Sequence, residues 1–393
     1  MTQKIYDIII LGGGIAGLLL ASELSSLCKV AIVEQEEVIP NKKYWLTDEQ
    51  SLIKNMDLKI AIDQFIDKMQ IISHEGLVCE VKGKYIIWNS RKLLKTLISK
   101  CNTNKVDIYL NSRFYTYRYK GNKVIIRAGI NQISATLLVD AMGYSSPIVD
   151  VTNNVRITGY YILYGKEVQL NNKLEPIAFY NYSVSSNPVY AEIFPTSRFT
   201  AHVAIIQPTR YICSPNRLNS YFDFLINKSH LSRFFDTKEA NKPLWKGIIP
   251  VGTLKKKALN NIVFFGEAGQ LNPAVTATGL TRMLYCYKEY SKILSEFVLN
   301  GKISYSELKN IPVLFITEFN RKLQLSVFKS MQNWNSIKFH KFVKQFNNLD
   351  NKLMNDILFG NVNKNDIFAF NNLKTHLRFK NSILLSHSIK ALF

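Results

Sequence analysis

The chain has 393 residues, 47% hydrophobic and 12% aromatic, and carries a formal net charge of +21. That apolar fraction is ordinary for a globular protein, and the length suits two joined domains. No apolar run reaches the ~20 residues that span a bilayer, and since the first apolar stretch reads as a strand of the folded domain, no signal peptide is expected. Cys28, Cys79, Cys101, Cys213 and Cys286 are scattered without a C-x-x-C pair, which excludes a disulfide frame and leads us to expect reduced thiols in the cytoplasm. The six histidines show no ligand spacing, so no metal is expected. The positive charge favours anionic partners such as a membrane surface, an acidic carrier or an acidic substrate. No nucleic-acid motif accompanies it, and nucleic acid is not expected.

The first element is an apolar strand, Tyr6–Leu11, closing in Gly12-Gly13-Gly14-Ile15-Ala16-Gly17 and opening a helix. A second apolar run, Lys29–Val33, ends at Glu34. Each position has a physical task. Gly12 permits the tight turn, Gly14 lets the backbone approach a pyrophosphate, and Gly17 lets the helix pack closely on the strand. Unpaired N–H groups at the start of the helix, around Ile15 and Ala16, then meet the phosphates along the helix dipole. Glu34 is placed to accept from ribose hydroxyls and would repel a 2′-phosphate, which favours FAD or NAD over NADP.

Pro40–Asp57 reads as a polar, aromatic loop or short helix near this cofactor. Tyr85–Trp88 is extended and leads into a helix that Ser90 could cap. Arg91, on that helix, is a third candidate cofactor contact. Val106–Leu110 and Val124–Ile126 are strand-like, and Thr136–Gly143 is a buried strand running into a turn. Residues 155–208 alternate in aromatic and β-branched patches, as in an antiparallel sheet that walls a substrate. A helical stretch near 217–235 and an extended Trp245–Val251 follow. Asn261–Gly269 is a strand entering another helix N-terminus. From about residue 300 the chain is aromatic, basic and helical.

Gly266-Glu267-Ala268, followed by Pro273 and Gly279, forms a second cofactor fingerprint. Its acid can bond a sugar hydroxyl, and the helix after Pro273 can point its dipole at an anionic flavin edge. Two dinucleotide contacts so far apart in the chain imply one extended cofactor, which favours FAD over NAD.

Taken together, Gly12-x-Gly14-x-x-Gly17, Arg91, Val139-Asp140-Ala141-x-Gly143 and Gly266-Glu267-Ala268 resemble the superfamily of FAD-dependent geranylgeranyl reductases, lycopene cyclases and aromatic hydroxylases. Within it the chain looks most like the lycopene cyclase family. Asn41–Glu49 is similar to that family's aromatic–Trp–Asp–Glu stretch, and Arg91–Leu94 and Asn272–Gly279 resemble its later motifs. The resemblance implies an α/β flavoprotein. A Rossmann-type FAD-binding domain would comprise 1–150 and 245–300, with an inserted antiparallel-sheet substrate domain at 151–244 and a basic helical part at 301–393. It also makes Asp140 and Gly143 candidate FAD contacts. One departure stands out. The family's paired acidic residues, which protonate the polyene, correspond here to Arg198–Ala204, a stretch without a carboxylate.

Asp48 and Glu49 are adjacent, so one could face the flavin as an acid or base while the other caps a helix. His202 could replace the missing acid, though a hydrogen-bonded core histidine is the plainer reading. Glu192 could line the same pocket or sit at a sheet edge. Tyr44, Trp45, Tyr160, Tyr161, Tyr190 and Phe194 are pocket candidates, and Cys286 reads as a packed core thiol. Residues 301–393 hold 14 lysines and arginines against 5 acids. Val313–Phe328 and Trp334–Phe346 have helical apolar spacing, which suits either a packed subdomain or a helix lying on a membrane.

The leading functional expectation is an FAD-dependent oxidoreductase of reductase, dehydrogenase or monooxygenase type. It would act on a small apolar or ring-forming metabolite, with NADH or NADPH as a transient electron donor. Two alternatives stand beside it. One is a non-redox, lycopene-cyclase-like cyclase or isomerase using reduced FAD. The other is a flavin-binding protein recruited through its basic C-terminal part to a membrane, an acidic carrier or a reductase partner.

Overall fold

The computed structural model describes residues 4–37, 44–182, 189–236, 244–312 and 318–362. Asn41–Lys43, the Tyr44 side chain, Val313–Phe315, the Phe319 side chain and residues 363–393 lie outside that set. The chain opens with β1 (Ile5–Leu11), α1 (Ile15–Leu24), β2 (Val30–Val33), β3 (Tyr44–Asp48) and α2 (Glu49–Ile53). There follow β4 (Ile62–Ile72), β5 (Val78–Asn89), α3 (Ser90–Thr103), β6 (Asp107–Tyr109), β7 (Phe114–Lys120), β8 (Lys123–Ala128) and β9 (Asn131–Asp140). The middle holds α4 (Pro147–Val151), β10 (Val155–Leu170), β11 (Ile177–Tyr180), β12 (Tyr190–Pro195), β13 (Thr200–Thr209), α5 (Asn219–Lys228), β14 (Phe235–Asp236) and β15 (Leu244–Leu254). The chain continues through β16 (Ala258–Leu259), β17 (Ile262–Phe264), α6 (Gly279–Leu299), α7 (Tyr305–Leu308), α8 (Glu318–Met331), α9 (Ser336–Phe346) and α10 (Asn351–Phe359).

The first sheet runs β16-β17-β9-β1-β2-β6, with the β7–β8 hairpin attached through β9. Its centre is parallel: Ile10 pairs with Ile32 on one side and Val139 on the other. Strands buried on both faces must be apolar throughout, as Ile8–Leu11 and Val30–Val33 are. Helices α1, α3 and α6 cover one face with Leu18, Leu19, Leu97, Leu284 and Tyr287.

The second sheet runs β14-β10-β13-β12-β11-β4-β5-β3, with β15 on the other side of β10. It reaches beyond the expected 151–244 insertion, taking β3, β4 and β5 from residues 44–89 and β15 from 244–254. The Pro40–Asp57 stretch therefore supplies a sheet strand as well as the short helix α2. Two further corrections are local. Asn89, not Ser90, caps α3, its side chain accepting from the Lys92 N–H at 3.1 Å. The strand at β17 does not enter a helix directly, because turns intervene until α6 starts at Gly279.

Helices α8, α9 and α10 pack on this second sheet. Leu323, Met331, Trp334, Phe339, Val343 and Phe346 join a buried cluster with Met69, Val81 and Tyr85 of β4 and β5. Among the described residues these apolar positions are thus covered by the protein's own sheet, whereas Ile337 of α9 is exposed. No helix among the described residues is long and apolar enough to cross a membrane.

Candidate active site

A cavity of about 940 Å³ joins the two sheets, running from Gly12, Gly14 and Glu34 to Glu192, His202 and Trp245. Its first end is built by the glycine turn. Gly12 has φ +99°, and a Cβ there would lie 2.5 Å from the Ala141 carbonyl oxygen, while one on Gly17 would lie 2.0 Å from that of Gly12. The turn is therefore pressed onto β9 and α1 onto the turn, whereas nothing occupies the space in front of Gly14. Helix α1 has no side-chain cap and no acid in its first turn, so its opening N–H groups keep their affinity for an anion. The Glu34 carboxylate accepts from the N–H groups of Gly13 at 2.7 Å and Glu36 at 3.0 Å. Each oxygen retains lone pairs for a ribose hydroxyl.

Ile15, Ala16, Gly143, Glu267 and Gly279 also line the cavity. Gly17, Asp140, Gly266, Ala268 and Pro273 do not; they shape its walls. Asp140 is wholly buried, accepting from the Met142 N–H at 3.1 Å and from the Ser146 hydroxyl, and desolvation pushes its pKa up to about 6. It holds the β9–α4 turn rather than facing the cavity. The segment from Gly266 to Gly279 includes two non-glycine residues in the left-handed region, Gln270 and Ala277, a strain that tends to gather at functional sites.

This strained segment is held from both sides. Tyr161 of β10 donates to the carbonyls of Ala274 and Val275, at 3.0 and 2.7 Å. Gln324 of α8 accepts from the Val275 N–H and donates to the Ile357 carbonyl, each at 2.9 Å. Arg282, buried in α6, donates to the carbonyls of Phe359 at 2.8 Å and of Gly360. These bonds bring Leu358 and Phe359, at the end of α10, into the cavity wall.

Three sequence candidates fall elsewhere. The Asp48 carboxylate caps α2, accepting from the Ser51 N–H at 3.2 Å and hydroxyl at 2.9 Å, and it also accepts from the Tyr285 hydroxyl. Glu49 pairs with the exposed Lys84 at 3.4 Å. Neither acid lines the cavity. Arg91 is exposed on α3 and away from it, while Arg113, before β7, lines the nucleotide end. Among the aromatic candidates Trp45, Tyr161 and Phe194 line the cavity, whereas Tyr160 and Tyr190 do not. Tyr190 is core, packed against Phe339. Cys286 is buried in α6, its thiol pushed up to about 12 by desolvation.

The far wall carries Glu192, His202 and Trp245. Glu192 faces the cavity with no hydrogen-bond or ionic partner among the described residues, and desolvation pushes its pKa up to about 8. Its carboxyl therefore keeps its proton at neutral pH. His202 is buried and stacks on Trp245, with ring centroids 4.8 Å apart and planes within 9°. In the β12–β13 pairing His202 stands opposite Phe194, and Glu192 opposite Ala204. Glu192 thus stands one strand away from the 198–204 stretch, on the same sheet face as His202 and Ala204. Arg113, Trp245 and the α10 residues carried no site signal in the sequence, whereas Asn272 lay in the stretch that resembles a family motif.

The family described as lycopene cyclase protein matches residues 7–382. Neoxanthin synthase of Solanum lycopersicum is 26% identical over 170 residues, 42% of this chain but only 33% of that protein, so the match spans about a third of the relative's length. A geranylgeranyl bacteriochlorophyll reductase-like protein from Thermoplasma acidophilum superposes with a TM-score of 0.67 at 15% identity, covering 100% of both chains. The halogenase PltM in complex with phloroglucinol and FAD does so at 0.66 and 11% identity, over 90% of this chain and 86% of that one. The fold is that of the FAD-dependent flavoproteins, and the chain belongs to the lycopene cyclase family.

Proposed function

We propose that this protein carries FAD and catalyses acid-initiated cyclisation or isomerisation of an apolar polyene, with Glu192 as the proton donor. The observation behind this reading is the unpaired, desolvated carboxyl of Glu192 on the cavity wall. Gly12, Gly14 and Glu34 would hold the adenosine and pyrophosphate, and Glu267 with the 276–279 segment the flavin end. When bound, FAD would supply an electron-rich ring system able to stabilise positive charge nearby.

The chain's own residues account for the proton. Glu192 gives its proton to one carbon of a terminal C=C bond, forming a C–H bond and leaving a carbocation at the other carbon. A second C=C bond of the substrate attacks that cation and closes a C–C bond. The new cation loses a proton from the adjacent carbon to the Glu192 carboxylate, which restores both the acid and a double bond. No electrons are gained or lost. Tyr161, Leu163, Phe179 and Phe194 give this wall an apolar, aromatic lining, and in low dielectric the attraction between the nascent carboxylate and cation is large.

The test is turnover of an acyclic polyene such as lycopene in D2O with the flavin reduced. One solvent deuterium per ring and no consumption of NADH or NADPH are expected, with Glu192→Gln reducing the rate by ~100-fold or more. A redox reaction is the second reading, favoured by the continuity of the cavity from nucleotide end to apolar wall. Stoichiometric nicotinamide or oxygen consumption without deuterium uptake would establish it instead.

A further inference from the structure

A neutral carboxyl with a raised pKa gives up its proton reluctantly, so the cation formed beside it needs a stabilising surface built into the wall. The sheet register supplies a candidate. Glu192 on β12 pairs with Ala204 on β13, Ala204 with Gly165 on β10, and Gly165 with Trp245 on β15. Paired residues share a face, so acid and indole stand on one rung of one sheet face, and the two positions between them carry the smallest side chains available.

The indole needs that space. A Cβ on Gly165 would lie 2.4 Å from Trp245 Cε2 and Cζ2 and 2.7 Å from Nε1, so the ring lies directly over the glycine. From there it reaches the cluster containing Ala204, Tyr161 and Leu163 and stacks on His202, two residues before Ala204. Nε1 is buried without a hydrogen-bond partner among the described residues. The seat thus receives Trp245 as a ring, with no use made of its polar atom. Glu192, His202 and Trp245 all open on the same cavity.

We infer that Trp245, seated over Gly165 and braced by His202, is a catalytic residue whose π face stabilises the carbocation formed next to Glu192. The assignment rests on the proposed acid-initiated reaction. A cation over an indole in a dry site is attracted by the ring's quadrupole, and fluorine substitution withdraws that attraction stepwise with little change in ring volume.

The experiment uses the full-length flavoprotein with FAD reduced and lycopene as substrate. Mono-, di- and trifluorotryptophan are placed at position 245 alone by site-directed incorporation. kcat is expected to fall with each fluorine, by ~10- to 30-fold across the series, while KM and the flavin absorbance spectrum stay constant. Trp245→Phe retains most activity, and Trp245→Leu loses at least as much as the trifluoro form. A flat fluorination series, with Glu192→Gln inactive and wild-type deuterium uptake intact, overturns the role of Trp245 and leaves the acid-initiated reaction standing. Wild-type turnover by Glu192→Gln overturns that reaction itself.

Discussion

The two sheets bring their parts to the cavity over different distances in the chain. In the first, β1, α1 and β2 form one crossover between Ile5 and Val33 whose turn builds one end of the cavity, although β9 joins β1 from more than a hundred residues on. In the second, β10 pairs with β13, β14 and β15, while β11 pairs with β4, which lies more than a hundred residues earlier. The local unit presents backbone N–H groups and a solvated carboxylate, groups suited to phosphate and sugar. The long-range sheet presents a desolvated acid among aromatic rings. In the proposed function, binding falls to the segment that folds locally, and reaction chemistry to the surface that only the finished fold brings together.

The largest expected effect lies in the first region. Gly17→Val places a side chain against the Gly12 carbonyl oxygen, where even a Cβ lies at 2.0 Å. The turn must move, and loss of bound FAD is expected, read from the flavin absorbance of the purified protein. Retained flavin at wild-type stoichiometry would break the assignment of binding to this unit.

A smaller effect separates the regions by pH. The carboxyl of Glu192 has a folded pKa near 8, above its unfolded value near 4.5. The native state therefore holds more protons between these values, and this residue's contribution to stability falls as pH rises from about 4.5 to about 8. Glu192→Gln removes the penalty. Its Tm should exceed that of the wild type at pH 8 by several degrees, with the gap narrowing towards pH 5. A Tm difference independent of pH would mean that this carboxyl is not desolvated.

These contrasts also explain what the sequence displayed. The strand–turn–helix–strand–acid unit was legible because each part is a local pattern with a fixed spacing, and the buried parallel strands announce themselves by being apolar throughout. The membership of β3, β4 and β5 in the second sheet was not legible. Residues 62–72 alternate with charge, Asp63, Asp67 and Lys68 among them, and nothing local names their partners. For the same reason Glu192 read as a possible edge carboxylate: its significance depends on Ala204, Gly165 and Trp245, residues joined to it only through three strand pairings. Of Asp48 and Glu49, expected to divide a flavin contact and a helix cap between them, Asp48 caps α2 and Glu49 pairs with Lys84, and neither lines the cavity.

Asp48 gives the next prediction. Asp48→Ala removes the α2 cap and leaves the Tyr285 hydroxyl without its acceptor, costing ~1–3 kcal/mol of stability. Turnover per folded, flavin-loaded molecule should stay near wild type. A selective loss of kcat at unchanged stability would return Asp48 to the chemistry and blur the division between the sheets.

The smallest effect is expected at Arg91, and it sharpens the boundary of the nucleotide region. Arg91 lies in the first turn of α3 and is exposed, whereas Arg113 lines the cavity beside Glu34 and Ser112. A guanidinium stabilises a pyrophosphate only within charge-assisted hydrogen-bonding reach, and water and salt screen it beyond that. Arg91→Ala should therefore leave FAD affinity within ~2-fold of wild type, the range of an unpaired surface charge. Arg113→Ala should weaken it by ~10-fold, as loss of one charged hydrogen bond does. Titration of the two apoproteins with FAD, followed by flavin fluorescence, compares them directly. If the Arg91 variant proved the weaker binder, the cofactor would have to extend along α3, outside the cavity that joins the two sheets.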